Sequence, residues 1–206
     1  MIKNIILDLG GVVINIDYQL TIDAFEKLGI VNAHEFYSQQ QQTNLFDLLE
    51  KGNISDDSFR DEIRKFAQKN LSDEAIDNAW NAMLLDFPPA RLETLMLLKS
   101  KYKTFLLSNT NSIHYRAYTQ TLKTNFGKEN LSDYFHKEYY SHLIKRRKPN
   151  PDVFRFVIND QNLQPHETLF IDDSKQHILG AQSVNLQTHL LVGETLENYL
   201  IRSNLL

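Results

Sequence analysis

The chain has 206 residues, 42% of them hydrophobic and 23% charged, and a net charge of −4. That length buries one good core and a smaller second one, and the acidic balance gives no overall attraction to nucleic acid or anionic membranes. Cysteine is absent, which excludes disulfides, thiolate nucleophiles and cysteine-bound zinc.

No run reaches the ~18 consecutive apolar residues that read as a membrane span. The first residues meet Asp8 too early for a cleaved secretory signal. The expectation is a cytoplasmic protein with neither membrane nor nucleic-acid partner. The sequence carries no signal of oligomeric state.

Ile5-Ile6-Leu7 is a continuous apolar run ending at Asp8, followed by Leu9-Gly10-Gly11-Val12. Such runs suit strands covered on both faces, as in a parallel sheet. From Tyr18 to Asp86 the pattern changes to helical spacing. Leu20, Ala24, Phe25 and Leu28 form one stripe, and Phe46, Leu48 and Leu49 form another, closed by Gly52. Asn53-Ile54-Ser55-Asp56 reads as a turn and cap ahead of Phe59, Ile63 and Phe66. Ala75, Ile76, Ala79, Trp80, Met83 and Leu84 complete an all-helical insert. The short run Gln39 to Gln42 reads as a solvated helix face or loop.

Pro88-Pro89 marks the return to the first pattern. A helix spans Arg91 to Lys101, and Phe105-Leu106-Leu107 runs into Ser108. Glu138-Tyr139-Tyr140 is a short strand. Pro151 sits at a first-turn position with Asn150 as its cap. Leu169-Phe170-Ile171 runs into Asp172, Ser174 caps a helix through Ala181, and His189 to Val192 is a last strand ending at Gly193. Alternating strands and helices predict an α/β fold with a doubly wound, Rossmann-like parallel sheet. The predicted division is a core of residues 1–16 and 87–206 with a helical cap of residues 17–86.

Ligands bind beyond the carboxyl ends of such strands, where Asp8, Ser108 and Asp172 would converge. Asp8 could be a nucleophile or simply an acid at a strand-to-loop turn. Ser108-Asn109-Thr110 could hold phosphate oxygens or form a polar turn. Lys148 could neutralise a phosphate or a carboxylate, while Lys145-Arg146-Arg147-Lys148 also reads as a solvated basic loop. One short basic cluster on an acidic chain lacks the face a nucleic acid needs. Asp172-Asp173 after an apolar strand is costly unless solvated, paired or metal-bound, and oxygen ligands suit magnesium.

Taken in order, Asp8-Leu9-Gly10-Gly11-Val12, Leu107-Ser108-Asn109-Thr110, Arg147-Lys148-Pro149-Asn150-Pro151 and Ile171-Asp172-Asp173 resemble the four motifs of the haloacid dehalogenase superfamily. The first motif is most similar to its sugar-phosphate phosphatase members. The resemblance implies an Asp8 nucleophile forming an aspartyl-phosphate. It implies Mg²⁺ on the Asp8 carboxylate, the Gly10 carbonyl and Asp172, helped by Asp173. Ser108, the Asn109 backbone and Lys148 would hold the phosphoryl group, and the helical insert would close over a small phosphorylated metabolite.

Two positions depart from that pattern. The acid that usually follows the nucleophile by two residues is replaced by Gly10, which removes a general acid/base worth about 10²–10⁴ in rate. Asp17 is one possible substitute, although a helix cap is the plainer reading. His177 stands where such members often carry asparagine, and it reads as an ordinary helix side chain. The alternatives are a catalytically weak binding protein, favoured by Gly10, a dehalogenase, which Asp172-Asp173 disfavours, and a phosphomutase.

Overall fold

The computed structural model describes residues 1–36 and 44–206; the run Gln39 to Gln42 lies outside them. Five strands form one sheet: β1 (Asn4–Leu7), β2 (Lys103–Ser108), β3 (Lys137–Tyr140), β4 (Thr168–Asp172) and β5 (Gln187–Leu190). Their order is β3-β2-β1-β4-β5, with every pairing parallel. Leu7 lies opposite Leu106 on one side and Ile171 on the other. That register brings Asp8, Ser108 and Asp172 out at one end of the sheet.

The central strand shows why its sequence is continuously apolar. Ile5 and Leu7 pack on one face with Leu95, Leu106 and Ile171. Ile6 packs on the other with Phe105, Phe154 and Phe170. Both faces are buried, so a polar side chain is kept only where it finds a partner, as Asn4 does in donating to Thr168 Oγ1 at 3.1 Å. The edge differs: the last strand covers Gln187–Leu190 rather than His189 to Val192, and Val192 is solvent-exposed. An edge strand makes one ladder and keeps one side open, so its apolar signal is shifted and weak.

Between β1 and β2 lie α1 (Tyr18–Leu28), α2 (Ala33–Phe36), α3 (Asn44–Glu50), α4 (Asp56–Ala67) and α5 (Asp73–Asn81). Asp17, Ser55 and Ser72 each accept a hydrogen bond from a first-turn N–H and so fix three of these helix starts. They enclose a separate core of Phe25, Phe46, Phe59, Ile63, Ile76 and Trp80. Two stripe positions fall elsewhere than the spacing predicts: Leu20 and Phe66 are exposed. Thr21 is buried instead, donating to the Trp80 carbonyl at 3.0 Å and accepting from the Met83 N–H at 3.1 Å. A hydroxyl with both roles filled is as good a core group as a leucine.

The rest of the chain carries α6 (Pro89–Lys101), α7 (Ser112–Phe126), α8 (Ser141–Ile144), α9 (Pro151–Asp160), α10 (Lys175–Gln182) and α11 (Leu196–Arg202). The prolines at 89 and 151 occupy first-turn positions. The helix α7 has no clean apolar stripe, since its buried residues include His114 and Tyr118; its pattern does not announce it. Asn111 caps it, accepting from the N–H groups of Ile113 and His114. Ile113 packs into the core of the insert. No helix among the described residues is long and apolar enough to cross a membrane.

Candidate active site

At the carboxyl end of the sheet three charged side chains meet almost without water. Lys148 Nζ lies 2.7 Å from Asp8 Oδ1 and 2.6 Å from Asp172 Oδ2. Lys148 and Asp172 are fully buried, and Asp8 is 7% exposed. The loop before α9 delivers the lysine. Asn109 clamps it by two reciprocal bonds: its amide donates to the Lys148 carbonyl and its oxygen accepts from the Lys148 N–H, each at 2.9 Å. Gly180 on α10 lets that helix lie against the Pro149 carbonyl, which any Cβ would strike.

Asp172 is held from several sides. Its Oδ1 accepts from the Ser174 N–H at 2.8 Å, and His177 Nδ1 lies 2.9 and 3.0 Å from its two oxygens. His177 is thus no ordinary helix side chain, because the first turn of α10 aims it into the site. Ser174 starts that helix as expected but makes no side-chain cap bond; its backbone N–H goes to Asp172. Gly11 has a left-handed φ of 71°, and the Asp173 carboxylate presses where its Cβ would be. Only glycine fits there on both counts.

The three acids are unequal. Burial raises the Asp8 carboxyl to about 7, the charge of Asp172 adds to this, and Lys148 opposes it. Burial also raises Asp173, to about 6, again with Asp172 behind it. For Asp172 the cost of burial is outweighed by Lys148 and His177, which hold it down at about 2. Lys148 stays charged despite burial because two carboxylates face it. One buried cation cannot satisfy three acids, so the donor set is short of positive charge. An oxygen atom from Asp8, one from Asp172 and a ring nitrogen of His177 all lie within 4.8 Å of one another. The turn after β1 bonds through the Leu9 carbonyl and the Gly11 N–H, leaving the Gly10 carbonyl outside that pairing. The oxygens of Asp8, Asp172 and the Gly10 carbonyl suit a hard divalent cation, while the His177 nitrogen bonds the Asp172 carboxylate.

A cavity opens above the cluster, lined by Asp8, Gly10, Ser108, Asn109, Asp173 and His177 from below. The insert contributes Tyr18, Glu50, Met83 and Leu84. All seven residues singled out in the sequence, Asp8, Gly10, Ser108, Asn109, Lys148, Asp172 and Asp173, therefore converge, with Lys148 and Asp172 as the buried floor. Asp17 does not join them: its side chain caps α1 through the Gln19 N–H, and the plain reading holds.

The sequence reading missed three further groups. The basic run is not a solvated loop: Arg147 bridges Asp47 and Glu50 of α3, each at 2.8 Å, and Lys145 bonds the Gly52 carbonyl. It ties the insert to the core. His114 and Tyr118 of α7 also line the cavity. No pattern in the sequence flagged His114, because the stripe of α7, which begins at Ser112, is interrupted there.

A Rossmann-like parallel sheet with a buried Asp–Lys–Asp cluster at its carboxyl end, roofed by a helical insert, defines a haloacid dehalogenase-type hydrolase. The chain belongs to that family: the model for haloacid dehalogenase-like hydrolases matches residues 2–185. It is 34% identical over 190 residues to a D-ribitol-5-phosphate phosphatase of Bacteroides thetaiotaomicron, covering 91% of each chain. Among solved structures it is similar to a HAD family enzyme of the same organism crystallised with magnesium and inorganic phosphate. That match has 39% identity and a TM-score of 0.85, covering 97% of this chain and 99% of that one. A predicted HAD-like hydrolase from Porphyromonas gingivalis matches with 30% identity and a TM-score of 0.89, over 99% and 98% of the two chains.

Proposed function

We propose that the chain is a magnesium-dependent phosphatase for small phosphate monoesters, with phosphorylated polyols and sugars as its substrate class. The observation that carries this is the buried cluster of Asp8, Lys148 and Asp172 at the floor of a cavity roofed by the insert. The likeness to a D-ribitol-5-phosphate phosphatase makes five-carbon polyol phosphates the lead within that class.

Asp8 attacks phosphorus, the ester bond breaks, and water then releases phosphate from the aspartyl-phosphate. Mg²⁺ held by Asp8, the Gly10 carbonyl and Asp172, with Asp173 beside them, would shield one anion from the other. Lys148 orients the Asp8 carboxylate and neutralises charge beneath it. Ser108 and the Asn109 N–H bind the phosphoryl oxygens, the next N–H, of Thr110, being taken by Ser141 Oγ. The Asn109 side chain serves another purpose, since it holds Lys148 in place. We assign residues 17–86 as the cap, which excludes water and meets the organic part of the substrate through Tyr18 and Glu50.

The test is phosphate release from a panel of pentitol, sugar and nucleotide esters, with Mg²⁺ and with chelator, for the wild type and Asp8→Asn. Metal-dependent release favouring polyol or sugar phosphates and absent from Asp8→Asn is expected. A folded protein that releases phosphate from no ester would overturn the reading.

A further inference from the structure

The reaction needs a proton for the leaving oxygen and a base for the attacking water, yet Gly10 supplies neither. We propose that His114 fills this role, as the general acid/base of the phosphatase reaction assigned above, on which this inference rests.

Four observations place it. First, His114 lines the same cavity as Asp8 and Gly10. Second, its backbone is fixed by the Asn111 side chain, which accepts from the His114 N–H at 3.0 Å, in the helix that starts directly after the Ser108 loop. Third, its Nε2 lies 3.1 Å from the Trp80 carbonyl. A carbonyl oxygen only accepts, so Nε2 carries a hydrogen and Nδ1 is the atom left for proton transfer. Fourth, the ring stacks on the Trp80 indole with centroids 4.4 Å apart, so its orientation is locked from the cap side. Burial lowers its pKa to about 4, opposed by the Trp80 carbonyl and Asp77. A phosphate dianion in the cavity acts in the opposite sense and favours the imidazolium.

The steps balance. An Asp8 oxygen bonds to phosphorus and the ester P–O bond breaks. Its electron pair goes to the ester oxygen, which takes the proton from Nδ1 of the imidazolium and leaves as the alcohol. A water oxygen then bonds to phosphorus and passes a proton to neutral Nδ1. The electron pair of the P–O bond to Asp8 returns to the carboxylate, and hydrogen phosphate departs.

A structural histidine and a proton-transferring one respond differently to the leaving group. The test compares an alkyl phosphate cleaved by the wild type with p-nitrophenyl phosphate, whose leaving group needs no proton. The variants are His114→Phe, which keeps the stacked ring, and His114→Gln, which keeps a donor for the Trp80 carbonyl. The expected result is a loss of about 10²–10⁴ in kcat/KM for the alkyl ester and less than about tenfold for the nitrophenyl ester. A burst of nitrophenolate equal to the enzyme concentration should accompany it, because the phosphoenzyme now waits for a base. Equal losses on both esters in folded variants would reduce His114 to a packing residue. The same selective loss in His177→Asn, with His114→Gln unaffected, would move the role to His177. If the wild type cleaves neither ester, the phosphatase reading itself fails and this inference with it.

Discussion

Arg60 and Lys148 are each gripped by carboxylates, and their surroundings give the two clusters opposite meanings. Arg60, on the rim of the insert, holds Asp77 through two nitrogens at 2.9 and 2.8 Å and Asp57 at 2.7 Å, with Asp73 nearby. Arg60 itself is largely covered, but Asp57 and Asp73 stand in solvent, and water screens the network from that side. Lys148 makes two contacts of similar length from a fully buried position. In the first cluster solvent absorbs any imbalance. In the second, imbalance appears as carboxyls displaced to about 7, 6 and 2. Ion pairs of the same length can serve packing in one place and chemistry in another, and desolvation decides which.

The largest effect belongs to Lys148. Lys148→Met should abolish turnover and destabilise the fold by about 3–5 kcal/mol, the usual effect of stripping one partner from a buried ion cluster. Denaturant melts and phosphate release measure both, and a stability loss below about 1 kcal/mol would mean the cluster is wetter than its burial indicates. In the insert, the largest effect belongs to an aromatic. Trp80→Ala should cost about 3–5 kcal/mol, because Trp80 packs on Phe25, Phe46, Phe59 and His114; a small shift would detach that core from the global melt.

Metal removal sharpens the same contrast with pH. Asp8 and Asp173 have folded-state values above those of free side chains, so their protonated forms favour the metal-free fold. That contribution is full below about pH 4 and is lost as pH rises through about 6 to 7. The rise in melting temperature on adding Mg²⁺ should therefore grow between pH 5.5 and pH 8. Asp8→Asn should reduce that growth, and a pH-independent increment would contradict the assignment of these acids as ligands. The smallest effect is expected at the rim: Asp57→Asn, which removes only the exposed partner of Arg60, should cost about 1 kcal/mol or less, and added salt should shrink it.

The legible parts of the sequence share a cause. Strands β1, β2 and β4 are buried on both faces, and burial forces a continuous apolar run that ends where a side chain must become polar. Asp8, Ser108 and Asp172 stood out for that reason. The serine cap at Ser55 was equally local, since a cap bonds within its own first turn. Less was legible where a residue's meaning depends on a distant partner. Thr21 sits in the core because Trp80 and Met83, 59 and 62 residues away, complete its hydrogen bonds. The last strand was misplaced by two residues because a sheet edge imposes little pattern. The helix α7 hid because a buried histidine and tyrosine interrupt its stripe.

By itself, then, the sequence determined the fold class, the helical insert and the family motifs, because these rest on short-range periodicity and on chemistry in fixed chain order. Only the tertiary structure decided how those residues share their charges. It set Lys148 between two acids, put His177 on Asp172, turned Arg147 toward α3 of the insert and brought His114 to the wall of the cavity that Gly10 also lines. The reason is physical. Electrostatic energy and pKa depend on distance and on the exclusion of water, and neither is encoded in the neighbours a residue has along the chain.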